Sequence, residues 1–290
     1  MNKFKESSFK ILTYTASLFT IILLFGIIGS LFYGGLPIFK IVSIKDFLFN
    51  TDWHPTSDPP DFGILSLIIG SFLVTVGALI ISIPLGLGSA IYISEIASAR
   101  MREILKPIIE LLAGIPSIVY GLFGVAFLSP FLIKIFNIPN GLNLFSASVI
   151  LGIMVVPIIS SMSEDALSTV PKNLREASLA LGANKWETIM RVVLPAARSG
   201  VLTSIILGFG RAVGETMVVL MVAGGAAQIP KGIFQPIRPM PAAIAAEMGE
   251  TVIGSQHFHA LFGIAIVLFL ITIITNLLTE FVFQSKREIK

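Results

Sequence analysis

Residues 207–219, LGFGRAVGETMVV, place Arg211 and Glu215 one helical turn apart inside an otherwise apolar run. In water such a pair needs no explanation. In a bilayer each ionisable residue costs at least ~2.5–3.5 kcal/mol on insertion scales, so the pair then asks for a function. Composition decides which case applies. Of 290 residues, 54% are hydrophobic and 13% charged, with a mean hydropathy of +0.90. A soluble domain carries roughly 25% charged residues. This chain cannot cover a water-facing surface, and it reads as an integral membrane protein.

Five charge-free runs, 11–33, 62–93, 111–133, 135–163 and 260–279, are long enough to cross a bilayer. A hydrocarbon core of ~30 Å takes about 20 helical residues. A sixth run, 199–222, qualifies only if Arg211 and Glu215 are tolerated within it. Barrel strands alternate in hydrophobicity over roughly 10 residues, whereas these runs are apolar on every face, so the expected class is all-α. The first run is too long for the apolar core of a signal peptide and no A-x-A-type site follows it, so it is expected to stay as a helix. Pro84, Pro116, Pro130 and Pro157 fall within the predicted spans. Each frees a backbone carbonyl that a neighbour or a cavity must satisfy.

Orientation follows from the basic residues. Fourteen of the twenty Lys and Arg fall on one side of the six-span scheme, in 1–10, between spans two and three, between spans four and five, and after the last span. Five, Lys40, Lys45, Lys134, Lys231 and Arg238, fall on the other. Basic loops stay in the cytoplasm. The expectation is therefore a polytopic membrane protein with both termini in the cytoplasm. It has a cytoplasmic N-terminus over 1–10 and a single six-helix domain over 11–290. Loops 34–61 and 223–259 lie outside, and a long internal loop covers 164–195.

Several chemistries are excluded. There are no cysteines, so no disulfide, thiolate metal site or Cys nucleophile. Three scattered histidines, His54, His257 and His259, give no metal cluster, and no cofactor is expected. The pI near 9.2 reflects the topological use of Lys and Arg, not a nucleic-acid partner. No G-x-x-x-x-G-K-[ST] is present to cradle nucleotide phosphates, so an ATP-driven process would need a separate ATPase.

The internal loop, SEDALSTVPKNLREASLALGANKWETIMRVVLPAA, is written as two amphipathic helices. Pro171 suits a first helical turn. Leu174, Ala177, Ser178 and Leu181 recur at helical spacing, and Gly182 stands where a C-terminal cap belongs. Asn184 and Glu187 have capping-box spacing. A second helix presents Trp186, Ile189, Met190 and Val193 on one face, and Pro195 opens the next span. Exposed apolar faces mark interaction sites. The alternative, a helix pair lying on the lipid surface, suits bulkier residues than Ala and Gly.

EASLALGANKWETIMRVVLP resembles the EAA loop of ABC importer permeases, which seats in a groove of the ATPase subunit. Glu176, Ala177, Gly182, Val192, Leu194 and Pro195 occupy the matching positions, with Ser178 and Val192 as mild departures; Trp186 would lie on the same docking face. TDWHP, DFGILSLIIGSFLVT, IPLGLGSAIYISE, AGIPSIVYGLFG, GRAVGETM and HFHALFGIAIVLF are similar to the phosphate importer permeases of this class. They cover nearly the whole chain and favour the PstC-type over its PstA-type partner. The resemblance implies a MetI-like ABC importer permease without its own ATPase site. The implied partners are a second, PstA-type permease, two ATPase subunits and an extracytoplasmic phosphate-binding protein. Trp53 and Gln235 mark the outer loops expected to meet that binding protein, Trp being a common interface anchor.

Arg211 and Glu215 then admit two readings. At i, i+4 they can pair and neutralise one another. Alternatively the guanidinium offers planar donors to a passing oxyanion. Gly210 and Gly214 form a small-xxx-small step expected to let another helix approach, and Thr216 follows. In phosphate permeases the R-A-x-G-E-T segment is associated with the translocation path. Glu215 could also accept a hydrogen bond from phosphate that keeps a proton, thereby disfavouring sulfate. Other readings stay open: the PstA-type partner, a permease for another oxyanion, a membrane enzyme acting on a lipid phosphate, and a structural scaffold. The enzyme lacks a converging nucleophile or metal ligands; the scaffold leaves the EAA-like loop unexplained.

Overall fold

The computed structural model describes the backbone of residues 3–284 and the side chains of residues 9–277. Lys286, Arg287 and Lys290, part of the basic count above, lie outside the described residues.

The chain starts with α1 (Lys3–Gly35), 33 residues long, and continues through a 3-10 turn into α2 (Ile44–Phe49). A two-residue hairpin follows, β1 (Trp53–His54) against β2 (Asp61–Phe62), antiparallel with Trp53 opposite Phe62. Then come α3 (Leu65–Ile91), α4 (Ala99–Ala113), α5 (Ser117–Phe123), α6 (Ser129–Phe136) and α7 (Leu144–Ser168). The segment expected to be amphipathic holds α8 (Lys172–Ala180), α9 (Lys185–Thr188) and α10 (Leu194–Ala196). The chain closes with α11 (Arg198–Val213), α12 (Met217–Val222), α13 (Met240–Glu247) and α14 (Gln256–Gln284). Among the described residues, five helices are long and apolar enough to cross a membrane. A sixth span arises if Lys185–Ala196 and Arg198–Val213, bent by 72°, count as one.

Helices α3, α7 and α11 form the centre because small residues let them close up. A side chain on Gly86 of α3 would meet Ile159 Cγ2 at 2.8 Å, and one on Gly208 of α11 would meet Ile159 Cγ1 at 2.9 Å. Ile159 of α7 is thus gripped from both sides. Around it pack Val74, Ala78, Ile150, Leu151, Val155, Ala212, Val218 and Val222, all buried. A second core at the hairpin end joins Ile38, Phe47, Trp53, Phe62, Met240, Leu261 and Ile264. A third, at the opposite and basic end, joins Ala90, Leu167, Val170, Val193, Ala197 and Val201. Among the described residues no side chain of α1 joins these cores; the helix meets α14 where Gly34 and Gly35 press against Phe262 and Ile266.

Three expectations about spans need correction. The third run, 111–133, does not begin a helix at Leu111: α4 ends at Ala113, and the span is 117–136, its helix starting after Pro116. Pro116 is therefore the N-cap of α5, a position that needs no N–H, whereas Pro84, Pro130 and Pro157 do lie inside spans, Pro130 just after the π-helical turn Gly124–Leu128 that joins α5 to α6. The fourth run, 135–163, opens on the last two residues of α6 and a loop, and α7 starts only at Leu144, where Asn143 caps it by accepting from Ser146 N–H at 3.0 Å. The sixth, 199–222, is broken rather than continuous.

Candidate functional site: a charged break in the sixth span

The break falls on the pair that the sequence singles out. Helix α11 ends at Val213, Gly214 closes it, and α12 resumes at Met217. Arg211 Nη1 lies 2.6 Å from Glu215 Oε2, so the i, i+4 pair forms. Glu215 has a second task. Its Oε1 accepts the backbone N–H groups of Met217 at 3.1 Å and Val218 at 3.2 Å, replacing the intrahelical partners that the first turn of α12 lacks. The carboxylate therefore holds the break together from inside the protein.

The two partners differ in exposure. The Glu215 side chain is 2% exposed and that of Arg211 is 44% exposed. Leu207, Arg211, Gly214 and Met217, at near-helical spacing, are all exposed and form one stripe on the surface of the chain. Arg211 also approaches Met154 Sδ at 4.0 Å. A lipid-facing guanidinium would be costly, so this stripe calls for water or a polar surface opposite it. Two sequence expectations change. A side chain on Gly210 would meet no atom within 4 Å, so among the described residues no helix uses the Gly210–Gly214 step; Gly208 is the residue pressed against a neighbour. The Glu215 side chain is 2% exposed and is turned to Arg211 and the start of α12, so the carboxylate is shut away from a passing phosphate. Thr216 is half-buried beside the break.

At the basic end, α8 and α9 make the expected compact turn. Gly182 has φ +88°, a left-handed conformation suited to glycine. Asn184 and Glu187 exchange both hydrogen bonds of a capping box at 2.9 Å. Ser178 Oγ lies 2.9 Å from Thr188 Oγ1, which ties the two short helices together and gives the departing Ser a role that alanine could not fill. Glu176, Ala177, Trp186 and Pro195 are exposed, Leu194 is half-buried, and Leu181 is 90% exposed. A groove of about 570 Å³ runs along Leu174, Ala177, Gly182, Glu187 and Val192. The second helix departs from expectation: Ile189 and Val193 turn inward while Trp186 and Met190 stay out. Residues Ile189–Val193 are π-helical, and the extra residue per turn rotates the faces apart.

At the hairpin end the expectation for Trp53 is overturned. Its indole is 2% exposed, packs edge-on to Phe62 and His257, and donates from Nε1 to Glu247 at 3.1 Å. It is a core residue and cannot anchor a partner. Glu247, which the sequence did not single out, is the hub: it also binds His257 Nε2 at 2.8 Å and pairs with Arg238. Gln235 is half-buried, its side chain accepting from Lys231 N–H at 2.7 Å. Also missed were Lys106, which bridges Glu164 at 2.6 Å and Asp165 at 2.7 Å, and the Glu95–Arg175 pair. Hydrogen bonds to Asp165 and then Glu164 raise the Lys106 ammonium above the ordinary lysine value, so that link stays charged. Among the described residues no group of three or more His, Cys, Asp or Glu is placed to hold a metal.

Comparison with known proteins agrees with this geometry. Residues 82–288 match the family model described as binding-protein-dependent transport system inner membrane component. A probable ABC transporter permease, YqgH, of Bacillus subtilis is 38% identical over 86% of this chain and 80% of its own length. The phosphate transport system permease proteins PstC of Mesorhizobium japonicum and Haemophilus influenzae are 35% and 33% identical, over 92% and 98% of this chain and 86% and 95% of theirs. A bacterial alginate ABC transporter structure has a chain of the same fold, with a TM-score of 0.67 at 16% identity over 100% of this chain and 99% of that one. A chain of the MetNI methionine ABC transporter gives 0.56 at 21%, over 77% and 94%. The mostly helical, broken-span bundle is thus the MetI-like fold of ABC importer membrane subunits, and the chain belongs to the family of binding-protein-dependent transport system inner membrane components, alongside relatives of the PstC type.

Proposed function

We propose that this chain is the PstC-type permease subunit of an ATP-driven phosphate importer and forms half of its translocation path. The observation that carries the reading is Arg211: a half-exposed guanidinium at the break between α11 and α12, paired with a buried carboxylate. A planar guanidinium can hold a tetrahedral oxyanion through two parallel N–H···O bonds. The 33–35% identity to phosphate transport permeases supports phosphate as that oxyanion.

The remaining parts follow. Arg211, Glu215, Gly210, Gly214 and Thr216 line or shape the path, with Glu215 acting from behind. The paired α8 and α9, within residues 164–195, dock on one of two ATPase subunits through Glu176, Ala177, Gly182, Trp186, Leu194 and Pro195, with Ser178 holding the two helices together from inside. The basic end and both termini are cytoplasmic; loops 34–61 and 223–259 face out and receive a phosphate-loaded binding protein, with Gln235 and its neighbours as the contact surface and Trp53 as internal support. A second, PstA-type permease covers the Arg211 stripe.

Vesicles holding this chain with a PstA-type permease and the ATPase, and supplied with phosphate-loaded binding protein, are expected to accumulate phosphate on ATP addition. Accumulation of sulfate in preference to phosphate, or none with a competent ATPase, would contradict the reading.

A further inference from the structure

The docking loop is tied to the bundle by a charged pair to which the proposed function gives no task. Arg175, one residue before Glu176, crosses to Glu95 with Nη2 2.6 Å from Oε1 and Nε 3.1 Å from Oε2, a bidentate geometry. The same guanidinium donates to Leu167 O at 2.9 Å and to Val170 O. One side chain of α8 therefore holds the ends of both α3 and α7. The Arg175 and Glu95 side chains are 20% and 8% exposed.

Glu95 sits on a π-helical turn, Tyr92–Ile96, that ends α3. Arg102 of α4 grips that turn from the other flank, donating from Nε to Ile93 O at 2.9 Å and from Nη2 to Ser94 O. Isolated π turns are costly and concentrate at functional positions. Ser178, the one buried residue of α8, bonds only within the docking loop. The loop is continuous with the spans at both ends, from α7 into α8 and from α10 into α11 towards Arg211, and its Val193 packs with Ala90 of α3 and Leu167 of α7. Beside these attachments, a polar link runs from Arg175 of α8 to the ends of α3 and α7.

We infer that the Arg175–Glu95 pair is a coupling joint: it makes α3 and α7 move with the docking helices, so that ATPase motion reaches both sides of the broken span. Arg175 and Glu95 are positioning residues in this scheme, which rests on the docking role proposed above. A crevice of about 340 Å³ lined by Glu95, Arg102, Lys172, Arg175 and Glu176 admits water to the pair. The two charges can therefore part and rejoin without being stranded in a dry core.

The test uses the reconstituted importer carrying Arg175→Gln, Glu95→Gln or both, scored by binding-protein-stimulated over basal ATP hydrolysis and by phosphate moved per ATP. Complex yield and basal hydrolysis should be unchanged. Stimulation and phosphate per ATP should fall by about tenfold in each single variant, the scale of ordinary coupling free energies. The double variant should be no worse than the worse single, because both remove the same link. Unchanged stimulation in Arg175→Gln, or a loss that only tracks a lower complex yield, would overturn the joint. Failure of the wild-type chain to retain the ATPase would instead remove the docking role, and the joint with it.

Discussion

Glu215 binds Arg211 with one carboxylate oxygen, at 2.6 Å, and caps the next helix with the other. The buried member of the pair shapes the backbone; the half-exposed member is presented outward. Their roles should separate in stability measurements. Glu215→Ala removes both cap and counter-charge, and is expected to lower stability by at least the ~0.5–2 kcal/mol that a helix cap contributes. Glu215→Gln keeps an acceptor for Met217 and Val218 and should cost less. Thermal unfolding of the purified chain in detergent checks the order; equal losses would mean the cap contributes nothing.

Gly182→Val puts a β-branched residue at φ +88°, where no neighbouring atom lies within 4 Å of a Cβ. The effect is conformational strain, about 1–2 kcal/mol, without a clash. The chain should insert and fold, while ATPase recruitment falls. Pull-down of the ATPase with the variant checks this; full recruitment would show that the turn geometry is not read.

Trp53→Phe deletes the Nε1 donor to Glu247 together with part of the buried indole, an expected loss of at least the ~1.5–3 kcal/mol of a hydrogen bond to a charged acceptor. Trp53→Ala should cost more, about 3–5 kcal/mol, because it leaves a cavity. Chemical or thermal unfolding measures both. A Trp53→Ala protein of wild-type stability would contradict its place in the core.

Much of the site was legible in the sequence. The i, i+4 spacing of Arg211 and Glu215, the glycine at 182 and the Asn184–Glu187 box are local patterns whose geometry is set within one turn. What escaped depends on partners far along the chain. The indole of Trp53 finds Glu247 194 residues later, and Arg175 finds Glu95 80 residues earlier. Apolar content could not place the break at Gly214, since hydropathy counts side chains and says nothing of backbone direction. The same blindness merged the end of α4 with α5, and the turn before Leu144 with α7.

The cysteine-free chain suits a topology test. Cysteines at exposed His54 and Ile253, at the hairpin end, should react with an impermeant thiol reagent from outside intact cells. Cysteines at exposed Glu103 and Lys185 should react only after permeabilisation. Reversed labelling at either pair would overturn the orientation.

The most direct measurement is phosphate uptake by the double variant Arg211→Gln with Glu215→Gln. Two neutral amides avoid stranding Glu215 as a buried, unpaired charge, so the variant should fold better than Arg211→Gln alone. If Arg211 meets the substrate, the complex assembles, retains its ATPase, and moves little phosphate; Arg211→Lys, keeping charge but losing the planar fork, is intermediate at best. Near-normal phosphate uptake by the assembled double variant would show that the pair only holds the broken helix together.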